Sequence, residues 1–508
     1  MLTLFKSNST KSPRVRQQSA VSRKFSNNYY DLDVAPGFQA AIFQFDQRYL
    51  LIKIKTSIYQ SQFMIIKNLP KSEKFDVVII GGGPAGITLA LELAKDSKKK
   101  ICLLETGELS ASEDAQKFAD TSASGDLPGS YFTNHSMRFL GGGTNIWGGW
   151  CGKLERRAFS QGSWPITLEE LDPYYQSAAE VIGLSKDVYE QSELAIDHSE
   201  NLIYKPFHIF PRKFREYYQA ALESQPNISL LLGHTCLQLV SNSGAVQYAL
   251  IQATFDTNAV PKKLFAERYV LACGGIANPK MLKQSKIADN SPVGNYFADH
   301  PHYYAFAKTS FRLDRLEKYA VQKPYKVRHA LQLSSDYCAK HNLLSFSVDF
   351  ETSTVEPTKI FGKDYDCYIT ASNVRTEMPL LTSNSVSLDN SRQDPLQRPL
   401  PHLDFNFTNN EQIERSWQVF AEEVLRSGLG RVDQHIEKIT TTGGGHFMCS
   451  TRMGTDPSSS VVDKNCRVHT QHNLFIAGSS VFSSPGATNP TYTIVALAMR
   501  LANYLATT

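Results

Sequence analysis

The 508-residue chain has no C-x-x-C pair among its eight cysteines, which stand far apart at 102, 151, 236, 273, 338, 367, 449 and 466. That spacing argues against a zinc site, and no metal is expected. Free thiols in a reducing compartment are the plain reading. No C-x-x-C-H motif occurs, so a haem used by this protein would have to sit in another chain. No run of 18 apolar residues exists, so nothing has the length of a membrane-crossing helix. The formal net charge is only +4, too small at this length to point to a nucleic-acid partner. Acidic residues are missing altogether from residues 1–30, which carry Lys6, Lys11, Arg14, Arg16, Arg23 and Lys24 among many serines. Residues 1–72 therefore read as a basic, serine-rich tail, either disordered or non-native sequence upstream of a start at Met64. An organellar transit segment has the same composition, so that reading stays open beside the expected cytoplasmic localisation.

Beyond the tail the chain is rich in local signals. The length exceeds what one hydrophobic core usually serves, so two domains or an interleaved pair are expected. "FDVVII" (75–80) is a continuous apolar run of strand length, the pattern of a strand buried on both faces. "GGGPAGITLALELAKDSKKKICLLETG" comes next, from Gly81 to Gly107. Gly81 permits a tight turn, Gly83 lets a pyrophosphate approach the backbone, and Gly86 lets the next helix pack close to the strand. That helix starts near Pro84 and Ala85, with its positive end toward the phosphates. "ICLLE" is a second strand. Its Glu105 lies 19 residues after Gly86, where an acid accepts hydrogen bonds from ribose hydroxyls. The acid disfavours a 2′-phosphate but does not separate FAD from NAD.

Two further glycine-rich stretches, around 141–149 and 274–275, imply close backbone approach to a large flat ligand, whereas NAD would need only the first loop. "RFLGGGTNIWGGWCGKLERRAF" (138–159), "WPITLEELDPYYQSAAEVIGL" (164–184), "VGNYFADHP" (293–301), "HFMCSTRMG" (446–454) and "TNPTYTIVALAMRLA" (488–502) together resemble the glucose–methanol–choline family of flavin oxidoreductases. The resemblance covers roughly residues 73–506 and is most specific in its C-terminal half. It leans toward the bacterial branch acting on sugars and sugar-like alcohols. It implies FAD lined by Arg138, Gly142, Gly143, Thr144, Asn145 and Gly148, with further cofactor contacts at Cys236, Gly274, Gly478, Pro490 and Thr491. Relatives that bind FAD covalently use a histidine where this chain has Ile146, so the resemblance implies dissociable FAD. A thioether to Cys151 stays open.

The resemblance implies an α/β chain in which a Rossmann-like FAD-binding domain (73–160, 208–300 and 445–508) interleaves with an α+β substrate domain built on an antiparallel sheet (161–207 and 301–444). Several alternating segments support that sheet: "YAFAKTSF", "HALQLS", "LSFSVDF", "DCYITASNV", "NSVSLDN" and "HLDFNFT". A helix over about 410–428 would back it.

"GGGHFMCSTRMG" places His446 on the family's catalytic histidine and Asn489, 43 residues later, on its second catalytic position. A histidine suits proton abstraction because its pKa lies near neutrality. An amide can hold the substrate oxygen without titrating. Cys449 and Ser450 depart from the usual glycine and threonine, and the bulkier Cys449 is expected to narrow the pocket or shift the loop, which puts the family's usual substrate range in doubt. Asp299-His300-Pro301 reads as structural or flavin-adjacent rather than catalytic. Pro490 opens a final helix, with Thr488 or Asn489 as its cap. The function implied is oxidation of an alcohol CH–OH, with hydride passing to flavin N5 and His446 as base. The substrate is a small-molecule alcohol, and the electron acceptor is open among oxygen, a quinone and a redox protein. A flavin-containing lyase of the same fold, or a subunit that only relays electrons, are the alternatives.

Overall fold

The computed structural model describes residues 74–161, 164–184, 194–197, 199–209, 212–316, 327–349, 354–407, 410–433 and 441–508. The basic tail, 1–72, lies outside them. The described chain is organised by two large sheets and a small one.

The first sheet begins with strand β1 (Lys74–Ile80), whose last four residues are all buried. Beside it, in parallel, runs β2 (Ile101–Glu105), buried at every position, with Val77 opposite Ile101. Next in chain order come β3 (Ile228–Leu232), β4 (Lys262–Leu271) and β5 (Leu474–Ile476). The parallel order is β3-β2-β1-β4-β5. β1 is therefore the strand at which the order reverses, and such a switch point opens a crevice at the strands' carboxyl ends. Helix α1 (Pro84–Leu93) leaves β1 through the first glycine loop. Helix α2 (Gly274–Gln284) leaves β4 through the loop at 272–274. Helix α3 (Thr491–Thr507) packs on α1 and on the helix Leu168–Ile182. A fully buried apolar side chain contributes about 1.5–3 kcal/mol. Leu171, Tyr175, Ile182, Val495, Leu501 and Leu505 each have at most 1% exposure in this shared core.

The second sheet is built mainly from antiparallel strands: Ser199–Ile209, Val327–Leu333, Phe346–Asp349, Lys363–Thr376 and Pro301–Arg312. One face (Leu202, Tyr204, Leu331, Phe346, Val348, Val374) packs in one core with Trp417 and Phe420 of the helix Asn410–Arg426. The alternation of side chains then puts Lys205, Arg375 and His302 on the other face. That face meets the nucleotide domain: Lys205 bonds Thr488, and His302 lies beside His446.

Two boundaries differ from those expected. The segments "NSVSLDN" and "HLDFNFT" form strands Ser385–Gln393 and Pro399–Phe405, but these join Ser122–Gly125 in the small sheet, not the substrate sheet. Val386, Leu403 and Phe405 are buried in the nucleotide-domain core. The helix Leu168–Ile182, expected in the substrate domain, also buries its apolar face there. Alternation reports a half-buried strand but not which sheet will receive it.

Candidate active site

The turn after β1 has the tight packing its glycines suggest. A Cβ on Gly86 would run into the Gly81 carbonyl oxygen, and one on Gly275 into the Phe447 carbonyl. Apart from Gly362 at a hairpin tip, four other glycines behave differently: a Cβ on Gly83, Gly143, Gly274 or Gly478 would meet nothing within 4 Å. They come from four separate segments of the chain, each at the end of a strand or within a glycine loop. Bare backbone facing open space on four sides is a cradle for a ligand that must lie against main chain. The two glycine loops are joined, since Gly141 N donates to the Gly82 carbonyl at 2.7 Å and Gly142 φ is +51°. α1 starts at Pro84 with Ala85 and Gly86 in its first turn, Gly83 as N-cap and no side-chain cap. α3 starts at Thr491 with Pro490 as N-cap and again no side-chain cap. Both helices thus present N–H groups without a capping side chain, a setting that favours an anion. Neither Thr488 nor Asn489 caps α3, contrary to expectation, because their side chains are engaged elsewhere.

Glu105 ends β2 inside this crevice. Its Oε2 accepts from Gly82 N at 2.8 Å and its Oε1 from Gly107 N at 3.1 Å. Burial raises its pKa, against the pull of those two N–H groups and of nearby Arg138. Each carboxylate oxygen keeps a second lone pair for a ribose hydroxyl. Arg138 is itself fixed by the Phe118 carbonyl at 3.4 Å. Thr144 and Asn145 brace the second loop from within. The Thr144 hydroxyl donates to the Gly141 carbonyl at 2.7 Å, and Asn145 Nδ2 donates to the Leu140 carbonyl at 3.0 Å and the Gly142 carbonyl at 2.9 Å. Asn145 Oδ1 is buried without a protein partner. Gly148 is exposed, and a Cβ there would sit 3.2 Å from Trp150. Cys236 is buried in the strand His234–Asn242, its thiol pushed up to about 12 by burial first and by Cys273 second. Its carbonyl accepts from Arg398 at 2.7 Å. The donors, the acid and the open cradle fit a dinucleotide such as FAD. Ile146 is 49% exposed beside this loop. Cys151 is fully buried, with Sγ 3.4 Å from the Gly149 carbonyl, and burial pushes its thiol pKa up.

His446 stands on the segment whose Phe447 carbonyl packs against Gly275 of α2. Its segment lies between two others. Met448 and Ala298 exchange N–H···O bonds at 2.9 and 3.1 Å, and Cys449 N donates to the Ser479 carbonyl at 3.1 Å. Asp299, fully buried, accepts from His300 N at 2.7 Å and His446 N at 2.8 Å through Oδ1, and from Tyr131 Oη at 2.6 Å through Oδ2. The His446 ring then has two polar neighbours. Nδ1 faces His300 Nδ1 at 2.9 Å, and Nε2 faces Asn489 Nδ2 at 3.2 Å.

The proton positions follow from chemistry. His300 Nε2 lies 3.3 Å from the Pro485 carbonyl, which can only accept. His300 therefore carries its proton on Nε2 and offers a lone pair at Nδ1. His446 must donate from Nδ1, which leaves its Nε2 lone pair facing the Asn489 amide. Burial holds the His446 pKa well below the usual imidazole value, helped by His300, His302, Arg375 and His135 nearby. His302 is buried with Nε2 unpartnered, and its pKa is also pushed well down by burial. Gly444 separates the two rings, for a Cβ there would lie 2.7 Å from both His302 Nε2 and His446 Nδ1.

The structure thus brings His446 and Asn489 together across 43 residues. It adds His300, Asp299 and Tyr131, which were not expected to touch them. Asp299-His300 was visible as part of the resemblance, but nothing local revealed the ring-to-ring bond. Cys449 is fully enclosed in the nucleotide-domain core at φ +67°. The narrowing of the pocket expected of it does not follow, because its side chain faces core rather than a cavity. Its left-handed backbone is the conformation that a glycine adopts at no cost.

Comparison with known proteins agrees with this architecture. Residues 381–498 match the family model described as GMC oxidoreductase, and residues 76–126 match one described as FAD binding domain. The chain is 23% identical to 2-methyl-1,2-propanediol dehydrogenase of Mycolicibacterium austroafricanum, over 85% of this chain and 95% of that protein. It is 23% identical to 6'''-hydroxyparomomycin C oxidase of Streptomyces lividus, over 85% and 91%. Pyridoxine 4-oxidase from Mesorbium loti has a similar fold, with a TM-score of 0.57 at 16% identity over 85% of this chain and 99% of that one. Two family models matched over parts of the chain, relatives aligned over 85% of it and a nucleotide cradle of the right form support an FAD-dependent oxidoreductase of the glucose–methanol–choline family that acts on alcohols.

Proposed function

We propose that the protein oxidises a hydroxyl group of a sugar, polyol or cyclitol-like alcohol to a carbonyl, with His446 as general base. The observation that carries this reading is the tautomer chain from the Pro485 carbonyl through His300 to His446, which leaves the Nε2 lone pair beside Asn489. An alcohol oxygen that takes the place of the Asn489 amide at His446 Nε2 would donate its proton to that nitrogen and accept from the displaced amide. As the proton leaves, the C–H electron pair departs as hydride and the carbonyl forms. FAD supplies the chemistry of a hydride acceptor, through N5 of its flavin. The unprotonated state of His446 is favoured by its surroundings, so the base is ready at neutral pH.

Asn489 fixes the alkoxide-like oxygen by a hydrogen bond that strengthens as charge develops. Asp299 holds the backbone of His446 in place, and Tyr131 holds Asp299. Four segments therefore meet where the proton moves, which is the preorganisation that such a transfer needs. The uncapped amino end of α3 would stabilise negative charge near it. Ile146 offers no nucleophile, and Cys151 is a buried thiol, so we read the FAD as dissociable. The substrate class is suggested by relatives named for a diol and for fructose. Those two are dehydrogenases and other relatives are oxidases, so oxygen, a quinone and a redox protein all remain candidate acceptors.

The test is a panel of alcohols mixed with the purified, FAD-loaded protein without oxygen. A substrate bleaches the flavin near 450 nm on the order of once per second or faster, as typical turnover demands. A lyase would release product and leave the flavin oxidised, and that result would overturn the reading.

A further inference from the structure

The segment that carries Asn489 is gripped by a buried ion pair. Glu155 follows the second glycine loop, and Lys205 lies in the substrate-sheet strand Ser199–Ile209. Both side chains are 2% exposed. Lys205 Nζ donates to Glu155 Oε1 at 3.0 Å and to Thr488 Oγ1 at 2.6 Å. The Thr488 hydroxyl donates its own proton to Glu155 Oε1, and Ala487 N donates to Glu155 Oε2 at 3.2 Å. Two opposite charges from two distant segments thus hold the two residues immediately before Asn489. On its other side Asn489 is followed by Pro490, φ −78°, whose ring fixes the entry to α3. Ala487, Thr488 and Pro490 are all buried, while Asn489 is half-buried.

A buried ion pair is a poor device for stability. The desolvation of two charges often outweighs their attraction, and well-packed apolar replacements are frequently neutral or better. What this pair supplies is an anchor, because the Thr488 hydroxyl bonds both charged groups and the Ala487 amide bonds the carboxylate. Here that arrangement fixes the Thr488 side chain and the Ala487 peptide. The Asn489 amide must reach to 3.2 Å from His446 Nε2. A misplacement of about 1 Å in such a constellation can cost on the order of a hundredfold in rate.

We propose that Glu155 and Lys205 are positioning residues for the oxidation: their ion pair locks the Ala487–Thr488 backbone so that the Asn489 amide faces His446. This rests on the reading of His446 and Asn489 as the reacting pair. It also ties both domains to the reaction, since Lys205 comes from the substrate sheet and Glu155 from the segment after the cofactor loop.

The experiment is a double-mutant cycle on the full, FAD-loaded chain, following anaerobic flavin reduction at saturating alcohol. The variants are Lys205→Met, Asn489→Ala and the two combined. Lys205→Met leaves Glu155 buried without its partner, so Glu155→Gln with Lys205→Met serves as the charge-free version if the single variant does not fold. The expected result is a loss of about tenfold or more in the reduction rate with FAD content kept. In the Asn489→Ala background the same change should cost less than about twofold further, because the group being positioned is gone. A loss of equal size in both backgrounds would overturn the proposal and leave the His446–Asn489 reading standing. A silent Asn489→Ala would overturn both.

Discussion

Replacing His446 with alanine removes the lone pair that faces Asn489, and the surroundings allow the size of the effect to be bounded. A positioned general base contributes about 10²–10⁴ in rate, or about 2.7–5.4 kcal/mol of barrier at about 1.36 kcal/mol per decade. His300 only orients that base, through one hydrogen bond at 2.9 Å. A hydrogen bond is worth about 0.5–1.5 kcal/mol net, so His300→Ala should slow flavin reduction about 2- to 13-fold. The two variants should therefore separate by at least about eightfold. The assay is stopped-flow flavin absorbance without oxygen, with FAD content measured on the same samples. The pH profile adds a second readout. Burial and the cationic or potentially cationic neighbours His300, His302, Arg375 and His135 hold the pKa of His446 down. A base with a depressed pKa stays active as pH falls through the usual imidazole range, about 6.5, and fails only in more acid solution. His446→Ala reducing its flavin at the wild-type rate would refute the assignment. Equal losses for His446 and His300 would refute the division between base and orienter. A wild-type profile that falls around pH 6.5 or higher would refute the electrostatic account.

Other outcomes rest on the same geometry. Gly83→Val should yield protein without FAD, because a branched side chain would fill the open cradle; the FAD-to-protein absorbance ratio checks it. Wild-type protein precipitated in acid should release its FAD into the supernatant, since Ile146 carries no nucleophile and Cys151 is a buried thiol. Stability should fall in acid. His208 is held down to about 4 by burial, and His300 and His302 are lowered too, with burial the largest cause. Their folded pKa values lie below the unfolded one, so stability is full above about pH 6.5 and drains as pH falls toward the folded values. The slope is about 1.4 kcal/mol per pH unit for each histidine, readable from urea midpoints at pH 7 and pH 5. His208→Leu should remove one histidine's share of that slope. Cys449→Gly relieves a left-handed backbone costing about 1–2 kcal/mol but opens a small void in the core, so the unfolding midpoint should move little. Its alcohol preference should match the wild type in the same bleaching assay.

The sequence alone determined what depends on neighbours within about thirty residues. The buried run at 75–80, the Gly81–Gly86 turn, α1 and Glu105 form one contiguous strand–turn–helix–strand unit. Each part follows from local periodicity and from the backbone freedom of particular glycines. The alternation in 385–405 likewise announced strands. His446 and Asn489 were legible through the motifs around them. Only the tertiary structure decided which partners those elements met. Of the strands at 385–405, Pro399–Phe405 pairs with Ser122–Gly125, a partner that no local pattern names. His300 reaches His446 across 146 residues, and Lys205 reaches Thr488 across 283. A hydrogen bond between side chains so far apart leaves no periodic trace in either segment. It exists because sheet pairing and helix packing elsewhere bring the two backbones within reach, and so the proton's path and its support became visible only once the chain was folded.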